Sequence, residues 1–136
     1  MAGLPKILLV EDTLQIVDIY TQVLTRQGYP LKSVGSVDEL LKVVAEYKPD
    51  LIFLDIMLPG GRTGLDALKI LRNDSQYGAQ KTKIVLLTNL GQNDEVQQAW
   101  EKYADGYVIK AEIDPHELTG IIQSFNFETL ESNPNA

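Results

Sequence analysis

The chain has 136 residues, with 12 Lys and Arg against 19 Asp and Glu for a net charge of −7, no cysteine, and a 44% hydrophobic composition. That fits one soluble domain with a sizeable core and excludes disorder as the main state; the missing cysteines exclude disulfide frameworks, thiolate metal sites and thiol nucleophiles. An acidic balance without a basic run argues against direct nucleic-acid binding, and apolar stretches such as Ile7–Val10, Leu51–Leu54 and Ile84–Leu87 are far shorter than the roughly 18 residues of a membrane span. The start Met1-Ala2-Gly3-Leu4-Pro5 lacks the pattern of a secretory signal, so a cytoplasmic protein is expected.

Five short apolar runs alternate with helically spaced stretches. Ile7–Val10 is the first strand, followed by a helix with Leu14, Val17 and Leu24 on one face and Gly28 where a left-handed cap is needed. Leu31–Val34 is the second strand. Ser36-Val37-Asp38-Glu39 then reads as a capping box, in which serine hydroxyl and Glu39 carboxylate each satisfy a backbone donor at the other's position; Val37, Leu40, Leu41 and Val44 form the stripe, and Pro49 ends the helix. Leu51–Leu54 is the third strand and Leu65, Leu68 and Leu71 mark the third helix. Ile84–Leu87 is the fourth strand, Val96, Ala99, Trp100 and Tyr103 mark the fourth helix, and Tyr107–Ile109 is the fifth strand. The last helix opens with Asp114 as N-cap, Pro115 at its first position and Glu117, then buries Leu118, Ile121, Ile122 and Phe125.

Alternating strands and helices imply an α/β fold, a parallel sheet covered on both faces. The second run carries Pro30, Lys32 and Ser33 and the fifth is short, so both suit edges. This gives a flavodoxin-like, doubly wound (βα)5 domain with strand order 2-1-3-4-5 over residues 1–126, and a frayed tail over 127–136. Trp100 is read as core and His116 as solvent exposed.

Polar groups follow the apolar runs: Glu11 and Asp12 after the first, Asp55 after the third, Thr88 after the fourth, Lys110 after the fifth. In a parallel sheet these ends share one edge, the place where such folds bind ligands. Two carboxylates about 4 Å apart repel by roughly 4 kcal/mol at an effective dielectric near 20, so three of them require a cation or shifted pKa values. Hard oxygen donors suit Mg²⁺ completed by phosphate oxygens. Any one of these acids is as readily a helix cap; the joint pattern is harder to obtain that way.

The segments Ile7-Leu8-Leu9-Val10-Glu11-Asp12, Leu54-Asp55-Ile56-Met57-Leu58-Pro59-Gly60, Leu87-Thr88 and Gly106-Tyr107-Val108-Ile109-Lys110 resemble the receiver domain of bacterial two-component response regulators, over about residues 5 to 126. The resemblance implies that Asp55 accepts a phosphoryl group from the phosphohistidine of a sensor kinase or phosphotransfer protein. It implies that Glu11, Asp12, Asp55 and the Met57 backbone carbonyl hold Mg²⁺, and that Lys110 and Thr88 contact the phosphoryl oxygens. It also implies a switch, Thr88 moving inward with Tyr107 rotating into the space vacated, which reshapes the surface of helix 4, strand 5 and helix 5. The domain is then a signalling module rather than an enzyme, a monomer, acting through protein contacts or an output domain outside this chain.

Three positions depart from the family pattern. Ala111 stands where proline usually follows the lysine, so a trans bond is expected; Gly60–Gly64 is one residue longer than the common loop; and Asn89 replaces a small residue. The alternative is a pseudo-receiver that binds partners without phosphorylation, disfavoured because both acids, the aspartate and the lysine are all present. A Mg²⁺ phosphatase would carry a second aspartate where Met57 stands, and a flavin site would need a Ser, Thr and Gly-rich loop where Glu11-Asp12-Thr13-Leu14 stands.

Overall fold

A computed structural model describes residues 4–89 and 94–125; the expected tail over 127–136 lies outside the described residues. The elements are β1 (Ile7–Val10), α1 (Leu14–Arg26), β2 (Leu31–Val34), α2 (Val37–Tyr47), β3 (Leu51–Asp55), α3 (Gly64–Asn73), a 3-10 turn (Ser75–Tyr77), β4 (Lys83–Thr88), α4 (Asp94–Tyr103), β5 (Gly106–Ile109) and α5 (Glu117–Ser124). The five strands form one parallel sheet in the order β2-β1-β3-β4-β5, as the alternation of runs and helices implies.

Strand alternation builds two cores. Leu8, Val10, Ile52, Leu54, Ile84 and Leu86 face α2, α3 and α4, while Ile7, Leu9, Leu51, Phe53, Val85, Leu87 and Val108 face α1 and α5. The three central strands are buried on both faces and β2 is half-exposed, the burial that its Lys32 and Ser33 require of an edge. No helix among the described residues is long and apolar enough to cross a membrane.

Local expectations hold with four corrections. Leu14 is 76% exposed rather than part of the buried face of α1, which consists of Tyr20 and Leu24 with Ile16 and Val17 beside them. At 100° per residue Leu14 lies about 80° around the helix from Leu24 and about 120° from Tyr20, so it turns off the sheet. The Ser36 box is half reciprocal: Ser36 Oγ accepts from Glu39 N, but Glu39 Oε1 accepts from Gly35 N, one residue earlier. The regular part of α5 begins at Glu117 rather than after Asp114. Glu117 Oε1 still accepts from Asp114 N, but Asp114 Oδ1 accepts from His116 N, and the first turn closes through Glu117 N to Asp114 O and Leu118 N to Pro115 O, which is 3-10 spacing. β5 begins at Gly106, one residue before the expected start at Tyr107.

Gly28 adopts φ +93°, as its place after α1 requires, and Lys48 takes the left-handed conformation just before Pro49. The described peptide bonds include no cis bond, so Lys110–Ala111 is trans. His116 is exposed, and Trp100 is half-buried against the α2/α3/α4 core.

Candidate functional site

The sheet register assembles the site. Val10 pairs with Leu54, Asp55 with Leu87, and Thr88 with Ile109, so the residues that end or follow β1, β3, β4 and β5 come to one edge. Backbone bonds continue the ladder past the strands: Glu11 N donates to Val34 O, Ile56 N to Leu87 O and Lys110 N to Thr88 O. Glu11 and Asp55 are each only 2% exposed and Thr88 6%, and Asp12 faces solvent.

Lys110 Nζ lies 2.8 Å from Glu11 Oε1 and 3.2 Å from Asp55 Oδ2, with its side chain almost fully buried. One oxygen from each of Glu11, Asp12 and Asp55 lies within 4.8 Å of the others. Glu11 Oε2 accepts from Thr13 N, which fixes that carboxylate against the start of α1, and Asp55 Oδ1 accepts from Met57 N.

The electrostatics divide the two buried acids. Burial pushes the Asp55 carboxyl up, and the charge of Glu11 adds to this; Lys110 and the Met57 N–H only partly offset it, so it reaches about 6. Burial also works to raise Glu11, but its bonds from Lys110 and Thr13 win and hold it below the ordinary value. Lys110 is held above its ordinary value despite burial, because Glu11 and Asp55 both face its ammonium. Burial and the charges of these two carboxylates raise the Tyr20 hydroxyl to about 12.

Three carboxylates therefore face one ammonium. With all groups ionised the cluster is short of two positive charges, and the raised Asp55 is the symptom. Hard, oxygen-only donors with a deficit of two match a small divalent cation. The donor set fits Mg²⁺.

The β3–α3 loop returns tightly against the backbone at the end of β3. Gly64 N donates to Ile56 O at 2.8 Å, and a Cβ on Gly64 would stand 2.0 Å from Asp55 O, so any side chain would displace the acceptor strand's backbone. Thr63 and Asp66 form a full capping box that anchors this turn, a Thr-x-x-Asp signal present in the sequence that the helical spacing alone passes over. Gly60 and Gly61 both take positive φ with open space around them, and Arg62 pairs with Asp38 of α2. Asn89 is exposed at the end of β4. Tyr107, on the edge strand, is 36% exposed and its ring meets that of Trp100.

The family model described as response regulator receiver domain matches residues 7–123. The chain is 34% identical over 119 residues to the DNA-binding response regulator MtrA of Mycobacterium tuberculosis, covering 88% of this chain and 49% of that protein. Among solved structures, the chemotaxis response regulator CheY4 of Vibrio cholerae superposes with a TM-score of 0.79 at 26% identity, covering 91% of this chain and all of that one. The BeF3-activated N-terminal receiver domain of Klebsiella pneumoniae RstA superposes with a TM-score of 0.76 at 30% identity, covering 88% and 96%. The chain belongs to the response regulator receiver domain family of two-component signalling. It spans about half the length of the curated relatives it matches.

Proposed function

We propose that this domain is a Mg²⁺-dependent phosphoacceptor in which Asp55 takes a phosphoryl group from the phosphohistidine of a sensor kinase or phosphotransfer protein. The observation that carries the reading is the buried Asp55 carboxylate, paired with Lys110 at 3.2 Å and clustered with the oxygens of Glu11 and Asp12. The nucleophile is the Asp55 carboxylate oxygen: its bond to phosphorus forms as the P–N bond to the donor imidazole breaks, and the leaving nitrogen keeps that electron pair. Phosphoryl transfer asks of the protein mainly in-line positioning and neutralisation of charge spread over the phosphoryl oxygens.

Glu11, Asp12, Asp55 and the Met57 carbonyl are the residues that would hold Mg²⁺, which when bound supplies charge neutralisation to the phosphoryl oxygens. Lys110 would also neutralise those oxygens and holds Glu11 ionised; the Met57 N–H orients Asp55. Thr88 is the hydroxyl that answers the new phosphoryl group, and Tyr107 is the surface group that follows, altering the face of α4, β5 and α5. Output then passes to a protein partner or to an output domain outside this chain, from a cytoplasmic monomer without direct nucleic-acid contact. The BeF3-activated receiver of RstA, 30% identical to this chain, supports a site of this chemistry.

The test is intact mass after acetyl phosphate and Mg²⁺. Wild type is expected to gain one phosphoryl group in acid-labile form, and Asp55→Asn none. Equal labelling of the variant moves the acceptor elsewhere. No labelling of folded wild type favours an interaction module that works without phosphorylation.

A further inference from the structure

Tyr107 sits in the edge strand β5 opposite Leu86, and Ile109 opposite Thr88. Cross-strand partners point to the same face and alternate residues share it, so Tyr107, Leu86 and Thr88 lie on one face, the one covered by α4. Trp100 of α4 packs against that core, its ring centroid 5.4 Å from that of Tyr107 and the planes tilted by 48°. This is a favourable geometry for an aromatic pair. Trp100 Nε1 is buried and has no hydrogen-bond partner among the described residues. A buried indole N–H ordinarily finds an acceptor; among the described residues the ring is positioned by packing and by Tyr107.

We propose that Trp100 is a latch on Tyr107, a positioning residue that holds the phenol at the surface and so sets how far the domain rests in its unswitched state. The inference rests on the reading of Thr88 and Tyr107 as a switch. On that reading, turning inward toward Thr88 takes the Tyr107 ring away from Trp100, so the pairing of the two rings belongs to the outward state alone. An interaction made in one of two conformations moves the equilibrium between them; one made in both does not. Trp100 therefore lowers the inward population before phosphorylation and raises the signal needed to populate it. Departure of the Tyr107 ring also uncovers the indole, and the chain has one tryptophan to report it.

The test uses the full chain with 3-fluorotyrosine at its six tyrosines and fluorine NMR, the Tyr107 resonance being assigned by its loss in Tyr107→Phe. Without metal or phosphoryl donor, Trp100→Leu is expected to raise the inward-to-outward ratio of Tyr107 by about three- to tenfold, and Trp100→Phe, which keeps a smaller ring, by less. The beryllofluoride concentration that half-saturates the Tyr107 shift in Mg²⁺ is expected to fall by the same factor. In wild-type background, Tyr107→Leu is expected to move indole emission to longer wavelength and increase acrylamide quenching. An unchanged Tyr107 resonance and midpoint in Trp100→Phe, a variant that keeps an aromatic ring in the core, overturns the latch even where Trp100→Leu does not fold. A wild type that ignores beryllofluoride refutes the phosphoacceptor reading of Asp55, while the ligand-free comparison still decides the latch.

Discussion

Replacing Asp55 by Asn is expected to stabilise the metal-free protein while abolishing its phosphorylation. The carboxyl is 2% exposed, and burial with the neighbouring Glu11 charge raises it from 3.8 to about 6 even though Lys110 stands 3.2 Å away. Ionising a group so displaced costs the folded state about 3 kcal/mol at neutral pH. Asparagine removes that cost, keeps an oxygen for the Met57 N–H, and leaves Lys110 its bond to Glu11. The gain expected in EDTA at pH 7.5 is about 2–3 kcal/mol, a rise in melting temperature of about 7–10 °C for a domain of this size. A raised carboxyl pKa contributes stability that is full below the ordinary value and is lost as pH climbs through about 6, so the gap between variant and wild type opens between about pH 4 and 7. Glu11 acts in the opposite sense in both proteins, its contribution being lost as pH falls. Urea unfolding of both proteins in EDTA at pH 4.5 and 7.5 measures this. Mg²⁺ at a hundred times its dissociation constant adds about 2.7 kcal/mol to wild type, and less to the variant. An Asn variant no more stable than wild type at pH 7.5, or a gap equal at both pH values, refutes the argument that an uncompensated carboxylate is stored in this site.

Lys110→Ala leaves Glu11 and Asp55 buried without their cation and is expected to cost about 3–5 kcal/mol in EDTA, a loss that Mg²⁺ partly restores; the phosphorylated variant should no longer move Tyr107, and an intact Tyr107 response counts against the role of Lys110. Gly64→Ala places a methyl group where Asp55 O already stands, so unfolding should come at least about 2 kcal/mol earlier and labelling by acetyl phosphate should slow; equal stability would show that the loop yields. Arg72 donates to the carbonyls of Ala79, Gln80, Thr82 and Tyr103 and to Asp105, which itself accepts from Ile84 N. Arg72→Ala should cost about 2–4 kcal/mol in urea unfolding, with the acid site still binding Mg²⁺; a parallel loss of metal binding would mean that the staple also orders the site.

The central strands and the grouping of polar residues at one sheet edge were legible because each depends on short-range pattern. Runs such as Leu51–Leu54 are apolar without alternation, as suits a short strand covered on both faces, and the polar residue after each run marks its end whatever the neighbours are. Capping by Ser36 and the left-handed Gly28 are equally local. The misplacements came where the third dimension chooses between options that sequence leaves equal. Leu14 satisfies a three-residue spacing with Val17, yet the direction in which α1 faces the sheet is set by Tyr20 and Leu24, and Leu14 turns to solvent. Glu39 could close its box on Ser36 or Gly35, and backbone geometry selects Gly35.

What the sequence alone determined was the order of strands and helices, the two edges, and which five residues would stand at the carboxyl end of the sheet, because periodicity and strand termini are properties of the chain taken a few residues at a time. Only the tertiary structure decided that Lys110 bonds Glu11 more closely than Asp55, that Asp55 and not Glu11 carries the raised pKa, that Gly64 must stay bare against the Asp55 backbone, and that Trp100 meets Tyr107. These depend on distances across strands and on how deeply each charge is removed from water, and residues far apart in sequence acquire such relations only when the sheet brings them together.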